Sequence, residues 1–175
     1  MEKIEIRKLR DWRFFYKSPW GVFFSIILAI IFYRLYSIDT DSNNGKALLG
    51  INFAVMWGAY LFFEDFKNKS YSKYCRSIHL RNFLYEQIDN FNLKATSDNF
   101  DKTEYLKFLN NLYMDCSPFE HIYILSRIQS TINCIVIDAG YLEYLIETLK
   151  SDVGRHLDCE IENNTEVISI LLEKG

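Results

Sequence analysis

Two nearly uncharged stretches decide the predicted fold: WGVFFSIILAIIFYRLYSI at residues 20–38 and ALLGINFAVMWGAYLFF at residues 47–63. The first has 19 residues and a single charge at Arg34, and the second has 17 residues and no charge. A helix needs about 20 apolar residues to cross a bilayer, so both stretches have nearly the required length. The polar sequence DTDSNNGK between them can connect two antiparallel helices. The sequence therefore predicts a two-helix transmembrane hairpin over residues 19–63, with spans at about 19–38 and 46–63.

Basic residues predict how this hairpin is oriented. Six Lys or Arg residues lie in the N-terminal segment 1–18, five lie between residues 67 and 81, and the connecting loop contains only Lys46. Because cytoplasmic flanks carry the excess of basic residues, both termini are expected in the cytoplasm of a bacterial cell, with the hairpin in its inner membrane. A cleaved signal peptide would need a small-residue motif after Ile38, and none follows. A hairpin buried in a soluble core is the other alternative, but the remaining chain is too small to cover both helices.

Small residues recur at four-residue intervals in both apolar stretches. When the centres of the two stretches are aligned in an antiparallel hairpin, Ser25 lies opposite Gly58 and Ala29 lies opposite Ala54. Small faces at this register allow two helix backbones to approach closely, within one hairpin or between copies of the chain. The predicted packing residues are Gly21, Ser25, Ala29, Gly50, Ala54 and Gly58.

A polar connector at residues 64–72 leads to a predicted cytosolic, ligand-sensing domain at residues 73–175. Apolar residues keep helical spacing over 73–91 and over 101–114. Ser117, Pro118 and Glu120 form the pattern of a helix start, and the helix is expected to run to about residue 130. Between these helices, residues 92–100 are predicted to form a loop.

The C-terminal part of this domain predicts some β-structure. Asp138 can cap a helix over 139–150, but residues 132–137 are rich in β-branched side chains and fit either a strand or further helix. Apolar and acidic residues then alternate over 157–162, and the Asn163 and Asn164 pair can turn the chain into a second strand at 167–171. The predicted fold class is an α-helical membrane hairpin plus a mainly helical α+β soluble domain with a C-terminal β-hairpin.

Charge is distributed unevenly along the chain. Residues 1–71 hold 10 basic against 7 acidic residues, and residues 72–175 hold 10 against 16, which gives +3 and −6. Affinity for duplex nucleic acid depends on neutralised phosphates, so an acidic domain excludes it as a general partner. The four cysteines are widely spaced and form no CxxC pair, which indicates free thiols and predicts neither a disulfide framework nor a metal site. Cys75 and His79 could supply only half of such a site.

The sequence contains no familiar catalytic signature. It lacks GxSxG, GxGxxG, HExxH and the glycine loop that binds nucleotide phosphates. His121 and His156 are accompanied by no nucleophile or paired carboxylate at useful spacing. An enzyme is therefore not expected, and neither a cofactor nor a catalytic residue is predicted.

Basic residues collect after the second apolar stretch, in an otherwise acidic domain. One interpretation is that they contact anionic headgroups and enforce topology. The other is a phosphate-binding and base-stacking site, with Tyr74 and Tyr85 among the cations. The candidate ligand-binding residues are Lys73, Arg76, His79, Arg81, Arg127, Arg155 and His156.

The layout resembles the membrane-anchored ancillary effectors of type III CRISPR systems, in which two N-terminal transmembrane helices carry a small cytosolic sensor. The resemblance rests on the apolar hairpin, the basic N-terminus MEKIEIRKLRDWR and the length of the domain after Ser72. It implies a homo-oligomer, with a tetramer as the expected form, that binds cyclic tetra-adenylate and then perturbs the lipid bilayer in antiviral defence. The resemblance assigns no site residues. The alternative is a constitutive inner-membrane scaffold or assembly factor that binds a cytosolic protein partner.

Overall fold

The computed structural model describes residues 3–9, 23, 26–31, 33–34, 43–98, 100–137, 141–169 and 171–172. The long helices in these ranges are α1 (Asn43–Asp98), α2 (Lys102–Cys116), α3 (Ile122–Ile137) and α4 (Leu142–Ile168), with a short 3-10 helix at Ser117–Phe119. The chain divides into two compact units. The bundle unit comprises residues 1–6 and 73–165, and the terminal unit comprises residues 7–72 and 166–175.

The core of the bundle unit is built from apolar side chains that recur every three or four residues on all of its helices. This spacing places them on one face of each helix, and the faces bury one another. The helices predicted over 73–91 and 101–114 are confirmed, and α2 and α3 pack against each other. Core residues include Leu80, Leu84, Ile88 and Phe91 of α1, Tyr105, Leu109 and Leu112 of α2, Ile124, Ile128, Ile132 and Ile135 of α3, and Ile146, Leu149, Val153 and Leu157 of α4.

The N-terminal residues of the bundle unit lie against α1. Asn82 accepts a hydrogen bond from the Ile4 amide at 3.1 Å and donates one to the Ile4 carbonyl at 2.9 Å. Lys3 adds an exposed ion pair with Glu86 at 2.8 Å. One asparagine side chain thereby satisfies both backbone polar groups of Ile4, which attaches this segment without a sheet partner.

The predicted β-hairpin is wrong, because its first strand and its turn are helical and the described residues of its second strand form no strand. Helix α4 continues through the predicted strand 157–162 and the Asn163 and Asn164 turn to Ile168. It buries Val153, Leu157, Ile161 and Ile168, which lie on one face of a helix. The alternation of apolar and acidic residues that predicted a strand covers only residues 157–162, which is too short to distinguish a strand from a helix. No strand occurs in the part of the chain that the structure describes; there is only an isolated bridge between Leu9 and Leu172.

Other element boundaries also differ from those predicted. Residues 132–137 end helix α3 instead of forming a strand, since Ile128, Ile132 and Ile135 share its buried face. Helix α3 begins at Ile122 and not at Pro118, because Glu120 adopts a left-handed conformation (φ 51°) that ends the short 3-10 helix. Helix α1 extends to Asp98 through the predicted loop, where the Thr96 hydroxyl donates to the Asn92 carbonyl at 2.8 Å.

The predicted membrane hairpin is wrong as well. In the described ranges, no helix combines the length and the apolar character needed to cross a membrane. The second apolar stretch is the early part of the 56-residue helix α1, which also includes the predicted connector 64–72. Most of the first stretch lies outside the described residues.

The predicted packing residues that the structure describes show no close helix contact. Gly21 and Ser25 lie outside the described residues, and Ala29 and Ala54 are exposed. A Cβ atom added at Gly50 or Gly58 would meet open space. The helix around them exposes many large apolar side chains, namely Ile51, Phe53, Val55, Trp57, Tyr60, Leu61, Phe62 and Phe66.

Candidate functional site

A cluster of polar side chains lies where the start of α3 meets α1 and α4 in the bundle unit. His121 directly precedes α3, and the left-handed residue Glu120 redirects the chain just before it. His156 and Glu160 lie one turn apart on α4, so both project from the same face of that helix. Ser77 belongs to the buried face of α1. These four residues, with Tyr123, form what we call the histidine cluster.

Glu160 is the centre of the hydrogen bonds in the histidine cluster. Its Oε2 atom lies 2.8 Å from Nε2 of His121, and its Oε1 atom accepts a hydrogen bond from the Ser77 hydroxyl at 2.8 Å. Ser77 also lies 3.1 Å from the Lys73 carbonyl, so its one hydroxyl proton can serve only one of the two acceptors at a time. Both carboxylate oxygens are therefore held in place by groups from other helices or loops.

The rings of the histidine cluster are also in contact. His156 is perpendicular to His121 with the ring centroids 5.4 Å apart, and Tyr123 stacks on His156 at 4.0 Å. Nδ1 of His121 is buried and has no hydrogen-bond partner among the described residues. Two imidazoles and a carboxylate therefore lie side by side, with one ring nitrogen unsatisfied.

The charge of Glu160 is stabilised by its neighbours. Burial alone would raise the pKa of this carboxyl group, but hydrogen bonds from His121 and Ser77 and the charges of His121 and His156 outweigh burial. The net effect lowers the pKa of Glu160. Glu160 is consequently a carboxylate at neutral pH despite being partly buried.

The order of contacts in this cluster argues against a serine nucleophile. Ser77 contacts Glu160, and Glu160 contacts His121, so the carboxylate lies between the hydroxyl and the imidazole. A nucleophilic serine requires the histidine as its immediate neighbour, because the imidazole takes the hydroxyl proton. The arrangement can hold an ion or a polar ligand, but it does not activate Ser77.

The predicted ligand-binding residues fall into three groups. Lys73, Arg76 and His79 lie on the exposed side of α1, three residues apart, and we call them the α1 cation row. Within the described ranges they form no ion pair. Residues three apart on a helix are neighbours, so the structure brings these three together.

Arg81 lies on a different face of α1 from the α1 cation row, since it is buried and the row is exposed. Its side chain is only 8% exposed, and its Nε donates to the carboxylate of Asp158. The guanidinium lies 4.7 Å from the centroid of the Tyr85 ring. Tyr85 is itself half-buried, and Tyr74 is 3% exposed in the core, so neither lies open beside the row as a base-stacking platform.

The last predicted cations are also paired within the fold. Arg127 of α3 and Arg155 of α4 both contact the carboxylate of Asp152, and Arg155 does so at 3.0 Å. His156 belongs to the histidine cluster and not to a phosphate site with Arg155. The seven predicted residues therefore do not form one pocket.

Sequence reasoning missed His121, Glu160 and Ser77 as members of one site. His156 and Glu160 are four residues apart, which is a usable signal once the segment is recognised as helix. The prediction of a strand there hid that signal. His121 lies 39 residues before Glu160, and no local pattern indicates that the two meet.

Grooves also occur on the described part of the bundle unit, and two of them lie along α3. An apolar cleft of about 550 Å³ is lined by Cys134, Ile137, Tyr141, Tyr144 and Leu145, where α3 ends and α4 begins. A more polar groove of about 520 Å³ follows α3 past Ser126, Gln129 and Asn133. Neither groove is lined by a charged residue of the described ranges.

Comparison with known proteins finds no matching family model, no matching curated protein and no matching solved structure.

Proposed function

We propose that this chain is a non-enzymatic antiviral effector whose bundle unit binds a cyclic oligoadenylate, with cyclic tetra-adenylate as the expected ligand. The observation that carries the proposal is the α1 cation row. Arg81, Arg127 and Arg155 are ion-paired to Asp158 and Asp152, whereas Lys73, Arg76 and His79 are exposed and lack such partners within the described residues. The row therefore has charge available for an anion.

The spacing of the α1 cation row suits a phosphodiester backbone. Neighbouring side chains in the row start about 5–6 Å apart at their Cβ atoms, so a chain of phosphates can contact more than one of them. The surrounding segment 72–175 carries a net charge of −6, which disfavours nonspecific binding of longer nucleic acids. A short, compact anion that reaches the row without covering the acidic surface is the ligand of best fit.

Action at the bacterial inner membrane as a homo-oligomer is part of the same proposal. Its support is the apolar surface of the terminal unit, where Ile51, Phe53, Val55 and Trp57 are each more than half exposed. Monomeric soluble proteins rarely expose large contiguous apolar patches, and such patches are typical of membrane or subunit contacts. Ligand binding would act by favouring the membrane-perturbing assembly over the resting one, since only a difference in affinity can shift that equilibrium.

The binding step can be tested with charge reversals in the full-length protein. We expect cyclic tetra-adenylate to bind, and Lys73→Glu or Arg76→Glu to weaken that binding about tenfold or more, because each loses a charged hydrogen bond and adds repulsion. The matched control is Lys107→Glu, an exposed lysine on α2 that makes the same charge change elsewhere in the bundle unit. Isothermal titration calorimetry measures the affinities.

The outcomes separate this proposal from its alternative. Equal affinities in all three variants would exclude the α1 cation row, and no binding by the wild type would exclude the ligand. The alternative is a constitutive scaffold that binds a cytosolic protein partner. The apolar cleft at Ile137, Tyr141 and Tyr144 favours it, because it exposes aromatic side chains of the kind enriched at protein interfaces.

A further inference from the structure

We propose that His121, His156 and Glu160 form a binding site for a divalent transition-metal ion, with Zn²⁺ as the ion of best fit. The observation is geometric: one donor atom from each of the three residues lies within 4.8 Å of the other two. The inference rests on the histidine cluster alone and is independent of nucleotide binding at the α1 cation row.

The distances are compatible with coordination after small side-chain movements. Zinc bonds to histidine nitrogen and carboxylate oxygen are about 2.0–2.2 Å long, so tetrahedral geometry places two donors about 3.3–3.5 Å apart. His121 Nε2 and Glu160 Oε2 lie 2.8 Å apart and would separate slightly around an ion. His156 would approach from the turn of α4 that precedes Glu160, within the 4.8 Å limit that all three donors satisfy.

The donor types select the class of metal. Two imidazoles and one carboxylate suit zinc and neighbouring transition metals, whereas Ca²⁺ and Mg²⁺ favour all-oxygen sites. Three protein ligands leave one tetrahedral position for water or for an incoming anion.

Neighbouring side chains hold two of the three ligands in fixed orientations, as the outer groups of metal sites do. Ser77 holds Oε1 of Glu160 and leaves Oε2 for another partner, which is how outer hydrogen bonds orient a ligating carboxylate. Tyr123 stacks on His156 and restricts the tilt of its ring. Nδ1 of His121 is buried and has no hydrogen-bond partner among the described residues, so a nitrogen of this ring is available to a ligand.

The test is a titration of the full-length protein with ZnCl₂, with MgCl₂ and the chelated protein as references. We expect one zinc ion per chain and a rise in Tm that EDTA reverses, because an ion that binds only the folded state stabilises it. His156→Ala and Glu160→Gln should each weaken zinc binding by about 100-fold or more, since loss of an outer hydrogen-bond partner alone costs 10–100-fold. The matched control is His79→Ala, which removes the exposed histidine outside the cluster and should leave the zinc-dependent shift unchanged.

A Co²⁺ spectrum distinguishes these ligands from the cysteines. Visible d–d bands that appear in the wild type and in His79→Ala but disappear in His156→Ala support the site. An intense near-ultraviolet thiolate band would place the metal on a cysteine and overturn the proposal. Absence of a zinc-dependent shift in the wild type, or an equal shift in a His156→Ala protein whose circular dichroism is native, would also overturn it.

Discussion

At the residue scale, Arg81 is a charged residue whose side chain is buried in the bundle unit. Its side chain is 8% exposed, whereas that of its partner Asp158 is 46% exposed, so the two ends of the ion pair face different solvent conditions. Loss of the aspartate would leave a buried guanidinium without its carboxylate, which is more costly than loss of a surface contact. The ion pair of Arg81 with Asp158 therefore contributes to the stability of the bundle unit.

Removal of the Asp158 carboxylate should measure this contribution. We expect Asp158→Ala to lower the free energy of unfolding by about 1–3 kcal/mol, since the charged donor on Arg81 then lacks a partner. Glu162→Ala, at an exposed position one turn later on α4, is the control and should change it by no more than about 0.5 kcal/mol. Urea denaturation followed by circular dichroism gives both values. Equal effects of the two substitutions would contradict a structural role for the pair.

A second residue-scale prediction concerns the Cys116 thiol. Burial, and to a smaller extent the charge of Asp115, raises the pKa of Cys116 to about 12. Because the thiolate is the reactive form, Cys116 should resist maleimide labelling at pH 8 and gain reactivity only toward pH 12 or on unfolding. Exposed Cys134 and Cys159 should react first in the native protein. Peptide mass spectrometry identifies the labelled sites, and native labelling of Cys116 at the rate of Cys134 would contradict the assignment.

At the scale of elements, helix α2 begins where side chains satisfy free backbone groups. Asp101 accepts hydrogen bonds from the amides of Thr103 and Glu104 at 2.8 and 3.1 Å, and the Glu104 carboxylate accepts from the Asp101 amide at 2.9 Å. This reciprocal arrangement fixes the start of α2. The pattern predicted at Ser117 and Glu120 does not form, since Glu120 has left-handed backbone geometry.

The cap of α2 can be tested against the opposite end of the same helix. We expect Asp101→Ala to lower the free energy of unfolding by about 1 kcal/mol, because two backbone donors lose their acceptor. Asp115→Ala is the matched control: it removes an acidic residue from the C-terminal end, where a negative charge opposes the helix dipole, and should not destabilise. Thermal and urea unfolding measure both. A larger loss for Asp115→Ala would show that the cap is not what stabilises α2.

At the scale of the whole molecule, segments with several turns of helical apolar spacing were predicted correctly as helices. Patterns of only a few residues gave wrong predictions of strands. Residues 73–91 and 101–114 carry several turns of apolar spacing, and both segments are helical with those residues buried. The alternation over 157–162 covers too few residues to distinguish a strand from one face of a helix. The apolar stretches 20–38 and 47–63 predicted a membrane hairpin, but no helix of the described residues has the length and apolar character needed to cross a membrane.

The candidate site could be predicted only in part, for a related reason. Exposure of Lys73, Arg76 and His79 follows from the helical phase of α1, since they lie away from its apolar face. The histidine cluster depends on the contact between His121 and Glu160, 39 residues apart, which is fixed only when the helices pack. The spacing of His156 and Glu160 on one helix predicts that these two are neighbours, but only the tertiary structure shows that His121 joins them.

The absence of a side chain at Gly154 has a consequence for the packing of Tyr85. A Cβ atom there would lie 1.8 Å from the Tyr85 hydroxyl oxygen, so glycine leaves room for the Tyr85 side chain of α1 against α4. A larger residue at position 154 would displace the Tyr85 ring first, because the ring is the far end of a flexible side chain. Arg81 and Lys150 lie 4.7 and 5.7 Å from the centroid of that ring. The contacts of these two cations with Tyr85 therefore depend on a residue that contributes no atom to them.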